Sequence, residues 1–206
     1  MTYNSDIHHR RSIRLRNFDY ASAGAYFVTI CAQGRECLFG EVVDGVMAAN
    51  DAGRMVEKWW CELALKFPLV EPDSFVTMPN HFHGIIFLVG ADLCVRPDLL
   101  DRPSEIGHTH RCAPTQDIKS GVHAGASLPT IIQWFKTMTT NEYMKNVSQS
   151  AWPPFPGRLW QRNYFERVIR NDAELDKFRN YILHNPARWT EDEENPLTFS
   201  GRRTDV

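Results

Sequence analysis

The segment SFVTMPNHFHGIIFLVG, Ser74–Gly90, decides the fold of this chain. It contains two strand-like pieces separated by Met78–Asn80, and the second piece is a nearly continuous apolar run that carries His81 and His83. Successive side chains of a strand point to opposite faces, so the two histidines share one face and Phe82 points to the other. We therefore expect a buried central strand that presents two imidazoles on one side of a sheet.

Segments with strand and helix patterns continue on both sides of this stretch. Before it we predict a strand over 25–33, a hairpin over 37–50 and a helix over 51–67. After it we predict a long loop, a helix that begins at Ser127, a strand within 158–171 and a helix over 172–185. Short turns join consecutive strands, which favours an α+β fold with an antiparallel sheet and helices packed on it.

The composition is that of a globular protein with one substantial core. The chain has 206 residues, of which 43% are hydrophobic and 23% charged. The longest uncharged apolar stretch, His83–Ala91, has about nine residues, whereas a membrane-spanning helix needs about twenty. The first residues also lack the apolar core of a signal peptide. We predict a cytoplasmic protein without a membrane partner, and reduced cysteines, since the five cysteines include no CxxC pair.

Charge is unevenly distributed, although the net charge is only −2. We predict a single domain over 1–206 with a basic N-terminal arm over 1–20, an aperiodic insertion loop over 91–127 and an acidic tail over 190–206. The simplest interpretation of the acidic tail is a solvated terminus, with shielding of a basic surface as an alternative. Nucleic-acid binding depends on local basic surfaces, so the near-neutral net charge does not exclude a nucleic-acid partner.

Four side chains form the predicted reactive site. His81 and His83 can ligate one divalent cation, with a structural or surface role as the alternative. Tyr181 and Asn185 are four residues apart on the last helix and so share a face. The Asn185 amide oxygen can complete a histidine–histidine–amide site, which would place the Tyr181 phenol beside the ion; a core tyrosine is the alternative.

The chain closely resembles the IS200-like, single-tyrosine transposases, and within them the REP-associated tyrosine transposases, which are HUH nucleases. The resemblance runs from Arg10 to Trp189 and rests on a few motifs in the family's order. These motifs are TMPNHFHGIIF (77–87), Phe135-Lys136, LWQRNYFERVIRN (159–171) and KFRNYILHNPARW (177–189). The resemblance implies a ferredoxin-like HUH nuclease fold, with a central antiparallel β-sheet flanked by α-helices.

The resemblance also implies an activity and its residues. The family nicks single-stranded DNA near hairpins, such as those of REP-like repeats, through a 5′-phosphotyrosine intermediate. On this chain Tyr181 would be the nucleophile and His81 and His83 the ligands of Mg²⁺ or Mn²⁺. Asn185 stands where related transposases have a glutamine as third ligand. Tyr164 is a rival nucleophile. Two alternatives remain for the function. The chain could be a catalytically inactive hairpin-binding protein, or a metal-dependent phosphodiesterase that does not use tyrosine.

The predicted partner is single-stranded DNA with a hairpin, bound by a monomer or a homodimer associated with the nucleoid. The predicted DNA contacts are basic side chains: Arg10, Arg11, Arg14, Lys136, Arg158, Arg162 and Arg167. The alternative for Lys136 is that it lies on a solvent-exposed helix face and contacts no DNA. Trp152, Phe155 and Trp160 are candidates for stacking on an unpaired base.

Overall fold

A computed structural model describes residues 19–89 and 125–200 of the chain, and the side chains among these up to residue 198. Nearly all of the predicted arm and insertion loop, and the end of the acidic tail, lie outside these residues. The predicted DNA contacts Arg10, Arg11 and Arg14 lie outside them too.

The centre of the fold is a four-stranded antiparallel sheet. Its strands are β1 (Gly24–Cys31), β4 (Val70–Thr77), β5 (His81–Leu88) and β6 (Phe165–Ile169). The strand order is β4-β5-β1-β6, so β5 and β1 are central. β2 (Gly40–Val43) and β3 (Val46–Ala49) pair as a separate hairpin, with Asp44 and Gly45 at positive φ in its turn.

Helices flank this sheet and include the three predicted ones in order, although the helix predicted over 51–67 is divided into two and a short fifth helix was not predicted. They are α1 (Asp51–Cys61), α2 (Leu63–Lys66), α3 (Leu128–Gln149), α4 (Asp172–His184) and α5 (Pro196–Ser200). The Asn50 side chain caps α1 by accepting from the Gly53 N–H, and Asn171 caps α4 by accepting from the Glu174 N–H. The predicted α+β architecture with a central antiparallel sheet is confirmed.

The two faces of the sheet bury different clusters. On one face Phe82 packs between α1 and α3, with its ring centroid 4.7 Å from that of Trp60 and 5.5 Å from that of Phe135. Gly84 lies beneath Trp60, and a Cβ there would come within 2.5 Å of the indole. On the other face Phe27 and Ile85 pack against α4. The alternation predicted for β5 therefore turns its histidines toward the α4 face.

The last strand is shorter than predicted. Regular pairing covers only β6, and the preceding residues form an extended segment with one isolated bridge between Trp160 and Ala32. The Lys136 ammonium donates to the carbonyls of residues 161–163 at 3.0, 3.4 and 3.1 Å. These contacts tie the segment to α3, and regular pairing with β1 begins only at Phe165.

Two further predictions can be compared with the described part of the chain. No helix within residues 19–89 and 125–200 is long and apolar enough to cross a membrane. Cys31 and Cys37 carry free thiols, but Cys61 is disulfide-bonded, so the prediction of reduced cysteines is wrong at that position.

Candidate metal and tyrosine site

The two histidines of β5 direct their Nε2 atoms at each other. The Nε2 atoms of His81 and His83 are 3.0 Å apart, and both side chains are buried. Two imidazole nitrogens that converge in the protein interior form an electron-rich point that suits a cation. The two histidines therefore lie close together on one face of β5, as the sequence predicts.

Asn80 fixes the orientation of the first imidazole. Its Nδ2 donates to the carbonyl oxygens of Arg35 and Glu194 at 3.0 and 2.8 Å, which leaves its Oδ1 to accept a hydrogen bond. That oxygen lies 2.9 Å from Nδ1 of His81, so Nδ1 carries the proton and Nε2 holds a free lone pair. No local pattern distinguishes Asn80 as functional, although it immediately precedes the histidine pair.

Thr29 holds the second imidazole from the neighbouring strand. Its Oγ1 lies 2.8 Å from Nδ1 of His83, and the two residues are direct partners in the β1–β5 register. A ligand histidine usually donates its other ring nitrogen to such an outer partner, which fixes the ring for metal binding. Both imidazoles of the pair have this support.

Burial keeps both imidazoles neutral near pH 7. It lowers the pKa of His81 to about 4, against an opposing effect of the Asp192 carboxylate. Burial, followed by the repulsion of His81, lowers the pKa of His83 well below its usual value. Neutral imidazoles are the form that binds metal ions.

Tyr181 lies over this pair from α4. Its hydroxyl is 3.5 Å from Nε2 of His83, and its ring meets the His83 ring at a centroid distance of 5.1 Å. The residue is 40% exposed, so the alternative of a core tyrosine is not supported. Partial burial, followed by the Asp192 carboxylate, raises the pKa of the phenol, which is therefore protonated at pH 7.

Asn185 supplies an unsatisfied acceptor at the end of α4. The residue is 3% exposed, and its Oδ1 is buried without a hydrogen bond to any described residue. Buried polar atoms nearly always have a partner, so an orphaned amide oxygen beside two imidazoles marks a place for a cation. The residues present thus fit the ligand set that the resemblance implies.

Asp192 is a functional candidate that sequence analysis missed. Its Oδ2 lies 3.9 Å from Nε2 of His81, and its side chain is 9% exposed. With His81 and His83 it forms a group whose ligand atoms all lie within 4.8 Å of one another. A carboxylate would complete a mixed nitrogen and oxygen ligand set for Mg²⁺ or Mn²⁺.

The prediction that the acidic tail is a solvated terminus is wrong for Asp192, Glu194 and Asn195, whereas Glu191 and Glu193 are exposed. Glu194 forms an ion pair with Arg35 at 2.7 Å, and its carbonyl accepts from Asn80. Asn195 is 4% exposed and donates to the carbonyl of Trp189. Asp192 and Glu194 lie at the site because a six-residue 3-10 helix (Pro186–Glu191) follows α4 directly.

An open cleft of about 570 Å³ leads to the tyrosine. Aromatic, cationic and acidic side chains line it, and they include Phe165, Phe178, Lys177, Arg188 and the acidic run 191–194. Lys177 stands one turn before Tyr181 on α4, so both side chains lie on the same face of that helix. The lining therefore combines flat aromatic rings with charges of both signs.

The other predicted DNA contacts lie away from this cleft. Lys136, Arg158 and Arg162 line a second cleft of about 670 Å³ between α3 and residues 157–164. The Lys136 ammonium there holds backbone carbonyls together, as described above. Arg167 is exposed and pairs with Glu174 at 2.9 Å.

The rival nucleophile and the predicted stacking rings are also placed elsewhere. Tyr164 lines the second cleft, with its ring 5.3 Å from the Lys136 ammonium. Trp160 is only 4% exposed. The rings of Trp152 and Phe155 pack on that of Tyr143 at centroid distances of 5.0 and 5.4 Å. The structure therefore does not bring any of these residues to the histidine pair.

Comparisons with known proteins place the chain in a family. No known family profile matches the chain. The solved structure of a REP-associated tyrosine transposase bound to a REP hairpin is similar to 87% of this chain and 74% of that chain, with 16% identity and a TM-score of 0.49. An uncharacterized protein of Haemophilus influenzae is 36% identical over 193 residues, which cover 93% of this chain and 96% of that protein. By this identity over almost the full length of both, the chain belongs to the same family as the Haemophilus influenzae protein.

Proposed function

We propose that the chain is a transposase: a metal-dependent endonuclease and strand transferase that nicks single-stranded DNA near hairpins through a 5′-phosphotyrosine intermediate. The observation that carries the proposal is the Tyr181 hydroxyl, 3.5 Å from Nε2 of His83 at the open side of the histidine pair. The resemblance of the motifs around both residues to single-tyrosine transposases supplies the reaction class.

His81 and His83 would hold the metal ion together with the orphaned oxygen of Asn185 and the carboxylate of Asp192. When bound, Mg²⁺ or Mn²⁺ polarises the scissile phosphate and offsets the charge that develops on it. Asn80 and Thr29 keep the two imidazoles in place and fix which ring nitrogens are free.

In the nicking step, the Tyr181 oxygen forms a bond to phosphorus while the bond from phosphorus to O3′ breaks. The phenolic proton passes to water in the cleft, and the departing O3′ takes up a proton, so a free 3′ hydroxyl is left. The 5′ phosphate remains as a phosphotyrosine diester. A 3′ hydroxyl of another strand can reverse the same step, which joins strands without an external energy source.

The position of Tyr181 on α4 suits this role. Its ring is held by edge contacts with His83 and Phe27, at centroid distances of 5.1 and 5.8 Å, while its hydroxyl faces the cleft. A reacting group fixed in this way lowers the entropic part of the barrier. The raised pKa of the phenol means that it must be deprotonated at the site during the reaction.

The test is a denaturing gel of the protein with Mn²⁺ or Mg²⁺ and single-stranded hairpin oligonucleotides from repeats beside its own gene. We expect a covalent protein–DNA adduct with the unmodified protein and with Tyr164→Phe, but not with Tyr181→Phe or with His81→Ala/His83→Ala. Cleavage that persists in Tyr181→Phe would support the phosphodiesterase alternative. Hairpin binding without an adduct would support the inactive binding protein.

A further inference from the structure

Phe165 is an exposed aromatic residue at the margin of the tyrosine cleft. It begins β6, and 52% of its surface is open to solvent. Its ring contacts Phe27 edge-on at a centroid distance of 6.4 Å and otherwise lines the cleft. A flat apolar ring is thus fixed on a rigid strand beside the space in front of Tyr181.

Phe165 belongs to the same cross-strand row as the second histidine. Thr29 of β1 is the register partner of His83 on one side and of Phe165 on the other. Neighbouring strands lie about 4.8 Å apart, so the Cα atoms of His83 and Phe165 are separated by about 10 Å. A nucleotide whose phosphate lies at the histidine pair can therefore extend its base toward the Phe165 ring.

We infer that Phe165 is the stacking platform for an unpaired nucleobase next to the scissile phosphate. The inference rests on the proposed function and specifies the substrate further: the strand must be single at the nicked bond itself, because a base inside a duplex is already stacked on its neighbours. Aromatic side chains stack on any base, so Phe165 positions the strand without reading its sequence.

Lys177 provides a separate contact in the same cleft. Its exposed side chain lines the cleft one turn before Tyr181. An ammonium there attracts the phosphates of the strand, whatever bases they carry. The structure therefore separates two interactions, base stacking on Phe165 and phosphate attraction to Lys177, and they can be measured independently.

The test is fluorescence anisotropy with Mn²⁺ and the full chain carrying Tyr181→Phe, which prevents turnover. The probes are a labelled oligothymidylate and an abasic chain of the same length and charge. We expect Phe165→Leu to weaken binding of the oligothymidylate by about 5- to 150-fold and to leave the abasic chain unaffected. We expect Phe165→Trp to restore tight binding, and Lys177→Gln to weaken both probes equally.

Two controls separate this inference from folding and from the proposed function. Phe165→Leu keeps an apolar contact with Phe27, and its thermal melting curve should match that of the parent. Met144→Ala removes an equally exposed apolar side chain from α3 and should not change binding. Unchanged oligothymidylate affinity in Phe165→Leu, or an equal loss with the abasic chain, would overturn the inference alone. A parent protein that binds neither probe would also overturn the inference, and the adduct assay with hairpin oligonucleotides tests the proposed function separately.

Discussion

Replacement of Asn80 by leucine should destabilise the fold and weaken metal binding together. Leucine has a similar shape but forms no hydrogen bonds. The change removes three hydrogen bonds: the one made by the buried Nδ1–H of His81, and those accepted by the part-buried carbonyls of Arg35 and Glu194. An unpaired buried group costs about 1–3 kcal/mol and an ordinary hydrogen bond contributes about 0.5–1.5 kcal/mol, so the free energy of unfolding should fall by about 2–6 kcal/mol.

The same change should reduce Mn²⁺ affinity by about 10- to 100-fold, because the His81 ring loses the partner that fixes its orientation. Urea unfolding gives the free energy of unfolding, and isothermal titration calorimetry below the unfolding range gives the affinity. Asn180→Leu, an exposed position on α4, is the matched control and should change both quantities little. A loss below about 1 kcal/mol with unchanged Mn²⁺ affinity would refute the reasoning.

Three further predictions concern stability in the absence of metal. Because the folded-state pKa of His81 is about 4 and the unfolded value is near 6.5, the unfolded chain binds the extra proton as pH falls between them. Urea midpoints should therefore decrease over this range, with about 3 kcal/mol of the loss due to His81 and a further loss due to His83, whose pKa burial also lowers. His81→Gln should remove the His81 share only, and His184→Gln should remove none of it. Gly84→Ala places a methyl group against Trp60 and should cost about 1–3 kcal/mol in urea unfolding; an unchanged midpoint would contradict the close packing. Lys136→Met should lower the thermal midpoint through loss of three carbonyl contacts, and its matched control, Lys145→Met on the exposed surface of α3, should not.

The order of the elements could be predicted because each one has a local signal. The apolar run after His83 identified β5, and Asn50 and Asn171 marked helix starts through their capping oxygens. The alternation of side chains placed both histidines on one face. The four-residue spacing of Tyr181 and Asn185 placed both on one face of α4.

The missed features depend on contacts between distant segments. A run of acidic residues near a chain end looks solvated, and nothing local shows that a 3-10 turn after α4 returns Asp192 to His81. Asn80 resembled a turn residue, and its role needs carbonyls that are 45 and 114 positions away in sequence. Phe165 looked like any strand aromatic, because its exposure depends on β6 being the edge strand.

The alternation along β5 has a consequence for how this chain can change over evolutionary time. Odd positions near the strand start belong to the reactive face, and the even positions between them belong to the apolar layer under Trp60. A substitution at an odd position can change the reactive face without changing the apolar layer, and a substitution at an even position can do the reverse. Insertion or deletion of one residue would exchange the two sets, so that imidazoles would enter the core and Phe82 would face α4. We therefore expect members of this family to differ in loop lengths while this strand keeps its length.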